Sequence, residues 1–297
     1  MKTILYATDC DPKKATALRY AYRISTILKA ELHVVHVYDL MPFTTAAVRS
    51  RSILERNYFK DRHISLFNYC REQLKYELGS QKPFFHVVRN SSVTRGIAEV
   101  VRKINADLVL VGIKSPNTLR GVFTGNIGND LMGVLECPLL ILPEDFDYHG
   151  LSTLLYATDF EETDFYAIES LVAFAEPYGA LIKIIHVPRA KELNFERKAR
   201  WFKQTLAQRI AYPEIVFSAE RAEDVESGIL DHVSKDMPEM LVMMEREHPS
   251  FLDRFFYRDM VKTMEGEISI PLLVFNKKGI QAKLTEEPTD SLRMQWV

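Results

Sequence analysis

The chain has 297 residues, 47% hydrophobic and 26% charged, too apolar for a disordered chain and, at roughly 150 residues per domain, enough for two cores. Lysine and arginine number 38 against 40 acids, a formal charge of −2, so no net basic field is available to hold nucleic acid or an anionic membrane, and neither is expected as a partner. Cys10, Cys70 and Cys137 show no C-x-x-C spacing, no leader-like segment opens the chain, and no run of ~18 apolar residues occurs, so a cytoplasmic protein is expected.

The first predicted strand covers residues 3–8, and its run Ile4-Leu5-Tyr6-Ala7-Thr8-Asp9 returns 150 residues later as Leu154-Leu155-Tyr156-Ala157-Thr158-Asp159. Self-similarity at a fixed offset marks a duplicated unit. The helix predicted over 13–28 puts Leu18, Ala21, Ser25 and Leu28 on one stripe, repeated as Ile168, Leu171, Ala175 and Tyr178. A strand over 31–37 ends in His36-Val37, which returns as His186-Val187. The segment from about 50 to 78 then reads as a long cover helix with Phe67, Cys70, Leu74 and Leu78 as its core stripe, after a lead-in loop able to act as a lid. Its Arg49, Arg51, Arg56, Lys60, Arg62 and Arg71 lie among aromatics, but Glu55, Asp61 and Glu72 dilute the charge and argue against nucleic acid.

A strand over 84–89, a helix over 94–104, a strand over 107–112, a helix over about 126–135 and a strand over 138–142 complete the unit. Gly96-Ile97 matches Gly228-Ile229 at an offset of 132 and Pro138-Leu139-Leu140 matches Pro271-Leu272-Leu273 at 133, so the second copy lacks part of the middle segment. Strands alternating with helices give an α/β fold with a doubly wound parallel sheet in each copy. Right-handed crossovers give strand order 3-2-1-4-5, with the chain reversing direction between strands 1 and 4, and ligands bind outside the carboxyl ends at such a point. The expected units are residues 1–144 and 151–276, followed by a tail, 277–297.

Thr8-Asp9 lies at that point. The Asp9 carboxylate can accept from a base or ribose edge, or cap backbone N–H groups at the turn, and the sequence leaves both readings open. Gly112, Gly121, Gly125, Gly128 and Gly133 crowd the end of strand 4. They suit either a mobile loop or a backbone cradle for phosphate at the helix beginning near Asn126.

On these residues the chain resembles a tandem universal stress protein, two family domains in one chain, over residues 1 to about 276. Nucleotide-binding members carry Gly-x-x-Gly-x9-Gly-[Ser/Thr] after strand 4 and an Asp at the end of strand 1. Here the pattern reads Gly112-Ile113-Lys114-Ser115, nine residues, then Gly125-Asn126, with Ser115 in place of a glycine and Asn126 in place of the hydroxyl residue. The resemblance implies an adenine nucleotide alpha hydrolase-like fold and an ATP site at Thr8, Asp9, Val37, Gly112, Lys114, Ser115, Gly125, Asn126 and Ile127. It also implies pairing of the two domains through their last strands, 139–142 beside 272–275, as a pseudo-two-fold internal dimer. A homodimer of whole chains stays open.

In the second copy the corresponding stretch, 243–259, holds no glycine, and Glu245 and Glu247 stand near the phosphate position, so that copy is expected to be a non-binding partner. Arg246, Arg254 and Arg258, interleaved with acids, read as an ion-pair face. His36 and His186 lack neighbours at metal-ligand spacing, and Cys10 beside Asp9 is expected to be unreactive. The competing functions are a nucleotide-binding stress-response protein, a nucleotide-free interaction module, and a slow ATP hydrolase for which Asp9 alone could serve as general base.

Overall fold

The computed structural model describes residues 1–12, 15–39, 51–75, 79, 81–113, 126–143, 146, 148–188, 192, 194–245 and 270–286. Its first half runs β1 (Thr3–Ala7), α1 (Ala15–Ile27), β2 (Glu31–Tyr38), α2 (Arg51–Leu74), β3 (Phe84–Arg89), α3 (Val93–Ile104), β4 (Leu108–Gly112), α4 (Asn126–Met132) and β5 (Leu139–Leu142). The second runs β6 (Thr153–Ala157), α5 (Glu162–Ala175), β7 (Leu181–His186), α6 (Phe195–Arg209), β8 (Ile215–Ala219), α7 (Val225–Asp236), β9 (Met240–Met244) and β10 (Leu272–Phe275), and α8 (Lys277–Glu286) follows.

The ten strands form one sheet in the order β3-β2-β1-β4-β5-β10-β9-β6-β7-β8. Every neighbouring pair is parallel except β5 and β10, which run antiparallel with Leu139, Leu140 and Ile141 opposite Val274, Leu273 and Leu272. The aliphatic runs of β4, β5, β9 and β10 are buried throughout, which is why they read as continuous rather than alternating apolar segments. One face buries Ile4, Tyr6, Leu18, Leu140, Tyr156, Phe165 and Leu273. The other buries Leu5, Val35, Ile97, Val109, Leu241 and Val274. Each cluster draws residues from both halves, so the cores are continuous across the β5–β10 seam.

Local chemistry sets the helix ends. Ser92 caps α3 by accepting from the Arg95 N–H at 3.3 Å, and Asp224 with Ser227 forms a reciprocal capping box on α7. Both helices stop at a left-handed residue, Asn105 and Met237.

One expectation needs correction. In α2 the buried positions are Leu66, Tyr69, Cys70 and Leu74, whereas Phe67 is 45% exposed; it sits on the flank of the stripe, edge-on to Phe85. Leu78 lies outside the described residues. The predicted tail begins as a helix: α8 buries Ile280 and packs on α5.

Candidate functional site at the end of the first parallel strand

β1 lies between β2 and β4, with Ala7 in register with both Val35 and Val111. One step further along the strands stand Thr8, His36 and Gly112. Crossovers leave β1 and β4 toward opposite sides of the sheet, so the carboxyl ends of these strands flank a crevice, the usual ligand position in this architecture.

A compact turn builds its floor. The Thr8 N–H donates to the Val35 carbonyl at 3.0 Å, and the Thr8 hydroxyl oxygen accepts from the Cys10 N–H at 3.0 Å. Cys10 takes the left-handed conformation, φ 62°. His36 Nδ1 lies 3.0 Å from the Thr8 carbonyl oxygen; a carbonyl only accepts, so Nδ1 carries the proton. The Asp9 carboxylate accepts from the Asp11 N–H at 3.2 Å, the capping role open to it from the sequence. Burial holds His36 below its ordinary range, against the bond to Thr8 that favours its charged form. Burial pushes the Cys10 thiol up to about 12, with the Asp9 charge adding to the effect, so the thiolate is suppressed and the expected lack of reactivity has a physical cause.

The second half repeats this turn closely. Thr158 donates to the Ile185 carbonyl at 2.9 Å, Phe160 N–H donates to the Thr158 hydroxyl at 2.9 Å, and His186 Nδ1 lies 2.8 Å from the Thr158 carbonyl. Phe160 also has φ 62°. What differs is the filling. The Phe160 ring lies 4.0 Å from the His186 ring and 5.2 Å from Phe202. Behind it, buried Asp164 accepts from the Tyr156 hydroxyl at 2.7 Å, the Thr158 hydroxyl at 2.6 Å and the Glu161 N–H at 3.0 Å. Burial raises the Asp164 pKa despite those three donors. An aromatic ring thus covers the histidine in the second half, where the first half places the smaller Cys10 side chain, its Sγ 3.8 Å from His36 Nδ1.

Thr8, Asp9, Val37 and Gly112 therefore come to one end of the sheet. Two of them also have packing duties. Val37 is buried against α3, where a Cβ on Gly96 would come 2.7 Å from Val37 Cγ1, and a Cβ on Gly112 would come 3.0 Å from Ala17 Cβ. Ile127 is buried within α4, and Asn126 opens that helix. Lys114, Ser115 and Gly125 lie outside the described residues, as do positions 246–259 of the second copy. A neighbouring group comes from α2, whose basic residues read in the sequence only as a diluted charge run: Arg62 stacks on Tyr58 at 5.0 Å and donates to its hydroxyl at 3.0 Å, while Tyr58 leans on Tyr38 at 5.9 Å. The Arg62 charge reaches Cys10 and His36. Among the described residues no cluster of three His, Cys, Asp or Glu side chains could hold a metal ion, and no helix is long and apolar enough to cross a membrane.

The Universal stress protein family model matches residues 1–143. Among solved structures, a universal stress protein from Archaeoglobus fulgidus DSM 4304 is 14% identical, covering 92% of this chain and 97% of its own, with a TM-score of 0.59. A protein of Pseudomonas aeruginosa UCBPP-PA14 is 15% identical, covering 96% of this chain and 97% of its own, with a TM-score of 0.63. At such identities the likeness is one of fold, and it extends across both halves. No curated protein matches the sequence.

Proposed function

We propose that the chain is a cytoplasmic stress-response protein that binds an adenine nucleotide, ATP in the first instance, in the unit 1–144, with the unit 151–276 as its non-binding partner in an internal pseudo-dimer. The observation that supports this reading is the chain reversal between β1 and β4, with Asp9 at its mouth and Gly112 opening the Gly112…Gly125-Asn126 spacing. Glycine at these positions allows backbone N–H groups to approach a phosphate, and the start of α4 adds the positive end of its dipole. The Phe160 ring over His186 and the lack of glycine between 243 and 259 support an empty role for the second copy.

Two observations favour a second reading, a nucleotide-free interaction module: an Asp9 oxygen is engaged by the Asp11 N–H, and Gly112 is explained by the closeness of Ala17. Isothermal titration of the whole protein with ATP, ADP and AMP separates the two. The nucleotide reading expects saturable heat that Gly125→Val reduces by at least about tenfold in affinity, a loss of roughly 1.4 kcal/mol. No heat with any of the three nucleotides, or unchanged affinity in the variant, would favour the module.

A further inference from the structure

On the face covered by α3 and α7 the second half places Glu220, His232 and Asp236 where the first half has aliphatic side chains. The two halves superimpose in sequence here at an offset of 132: Gly96 lies against Val37 and Asn90, and Gly228 lies against Val187 and Ala222. In this register His232 and Asp236 replace Val100 and Ile104, and Glu220 replaces Val88, while Arg221, Asp231 and Lys235 correspond to Arg89, Glu99 and Lys103; on the neighbouring strand, at an offset of 150, Lys183 replaces His33. The replacements meet one another. Lys183 Nζ donates to Asp236 Oδ2 at 2.5 Å, and His232 Nδ1 lies 3.1 Å from the same oxygen. The His232 side chain is 5% exposed. His232 is buried where the sister copy buries Val100, and a polar ring there costs desolvation that its pairing with Asp236 at best offsets, so packing does not account for it.

Beside the group opens a cleft of about 60 Å³ whose lining includes Glu220, Arg221, Asp231, His232 and Lys235. Its room corresponds to roughly four or five water positions, the scale of glycine or serine. With Nδ1 engaged by Asp236, Nε2 is the ring's remaining polar atom, its orientation fixed by the carboxylate behind it. The lining carries two carboxylates and two cations. A bare oxyanion would meet Glu220 and Asp231, and a bare cation would meet Arg221 and Lys235. Glu220 also accepts from the Ser218 hydroxyl at 2.9 Å, and Arg221 also lies over the Phe195 ring at 4.7 Å, yet a small ligand bearing both signs would give each of the four a partner of opposite sign.

We propose that this cleft binds a small zwitterion of the amino-acid class, its carboxylate held by Arg221 and Lys235 and its ammonium by Glu220 and His232 Nε2. The site is independent of the nucleotide reading.

The test is titration of the whole protein with glycine, L-alanine and L-serine, beside acetate and methylamine, which carry one charge each. At least one of the amino acids should bind, with acetate and methylamine at least about tenfold weaker. Glu220→Gln, on the exposed lip, should weaken amino-acid binding by a similar factor. His232→Val restores the residue of the first half and should remain folded while losing the ligand. No binding of any amino acid up to about 10 mM, acetate binding as tightly as glycine, or full binding in both variants would overturn the proposal.

Discussion

His33 and His86 face each other across β2 and β3, Nδ1 to Nε2 at 2.8 Å, with Phe84 stacked on His33 at 4.7 Å. One nitrogen must donate and the other accept, so the contact does not survive protonation of both rings. Burial, helped by the charges of His33 and Lys103, lowers His86 to about 4 from an ordinary 6.5, and burial lowers His33 against the pull of Glu31. The folded state therefore resists a proton that the unfolded chain accepts. The resulting stability is present above pH 6.5 and is lost as pH falls toward 4, the window set by His86. Because His86 is only partly buried, the effect is discounted for solvent screening to about 1 kcal/mol. Urea unfolding at a series of pH values should show His86→Phe losing less stability than the native chain between pH 7 and 4. Parallel curves would remove the pair from the account of acid stability.

The junction of β10 and α8 also ties the halves together on the flank of the seam. Buried Asn276 donates from Nδ2 to the Met132 carbonyl at 2.8 Å in the first half and to the Glu245 carboxylate at 2.7 Å in the second. Its own Oδ1 accepts from the Gly279 N–H at 3.2 Å, and Lys277 reaches Glu161 at 3.0 Å. Gly279 runs so close to the Glu136 carbonyl that a Cβ there would overlap it. Gly279→Ala should therefore lift α8, at a cost of about 1–3 kcal/mol in urea unfolding, and expose the chain after β10 to proteolysis. Native stability and native proteolysis would mean that α8 contributes nothing to the seam. The sequence held no sign of this helix, because residues beyond Lys278 have no counterpart in the first copy and a repeat is silent about what it does not repeat. Its strands were legible for the opposite reason: β1 and β6 carry the same apolar run, and burial on both faces leaves such runs uninterrupted. Phe67 leaves the expected stripe because α2 presents aromatics both inward and toward Phe85, and spacing alone does not separate the two. Thr8 and Asp9 were legible through recurrence. The packing of Val37 on Gly96, and of Lys183 on Asp236 53 residues away, depends on contacts that no local pattern encodes.

For the whole molecule, the decisive feature is that one sheet contains two parallel halves joined by a single antiparallel pair, β5 with β10. Leu139-Leu140-Ile141-Leu142 is buried from end to end. Taken alone, the first half would end its sheet on this strand, with unpaired N–H and C=O groups beside an apolar surface, the arrangement that recruits another strand. The available mate of matching shape is β5 of a second copy, and an antiparallel pairing is self-complementary about a two-fold axis, so the contact closes at a dimer. In the intact chain β10 already occupies that edge, and the open edges are β3 and β8. A fragment of residues 1–144 should therefore dimerise in sedimentation equilibrium. The same fragment remaining monomeric and soluble at high concentration would mean that the β5 edge is not what joins the halves. In that case their association would rest on α8 and the buried Asn276 instead.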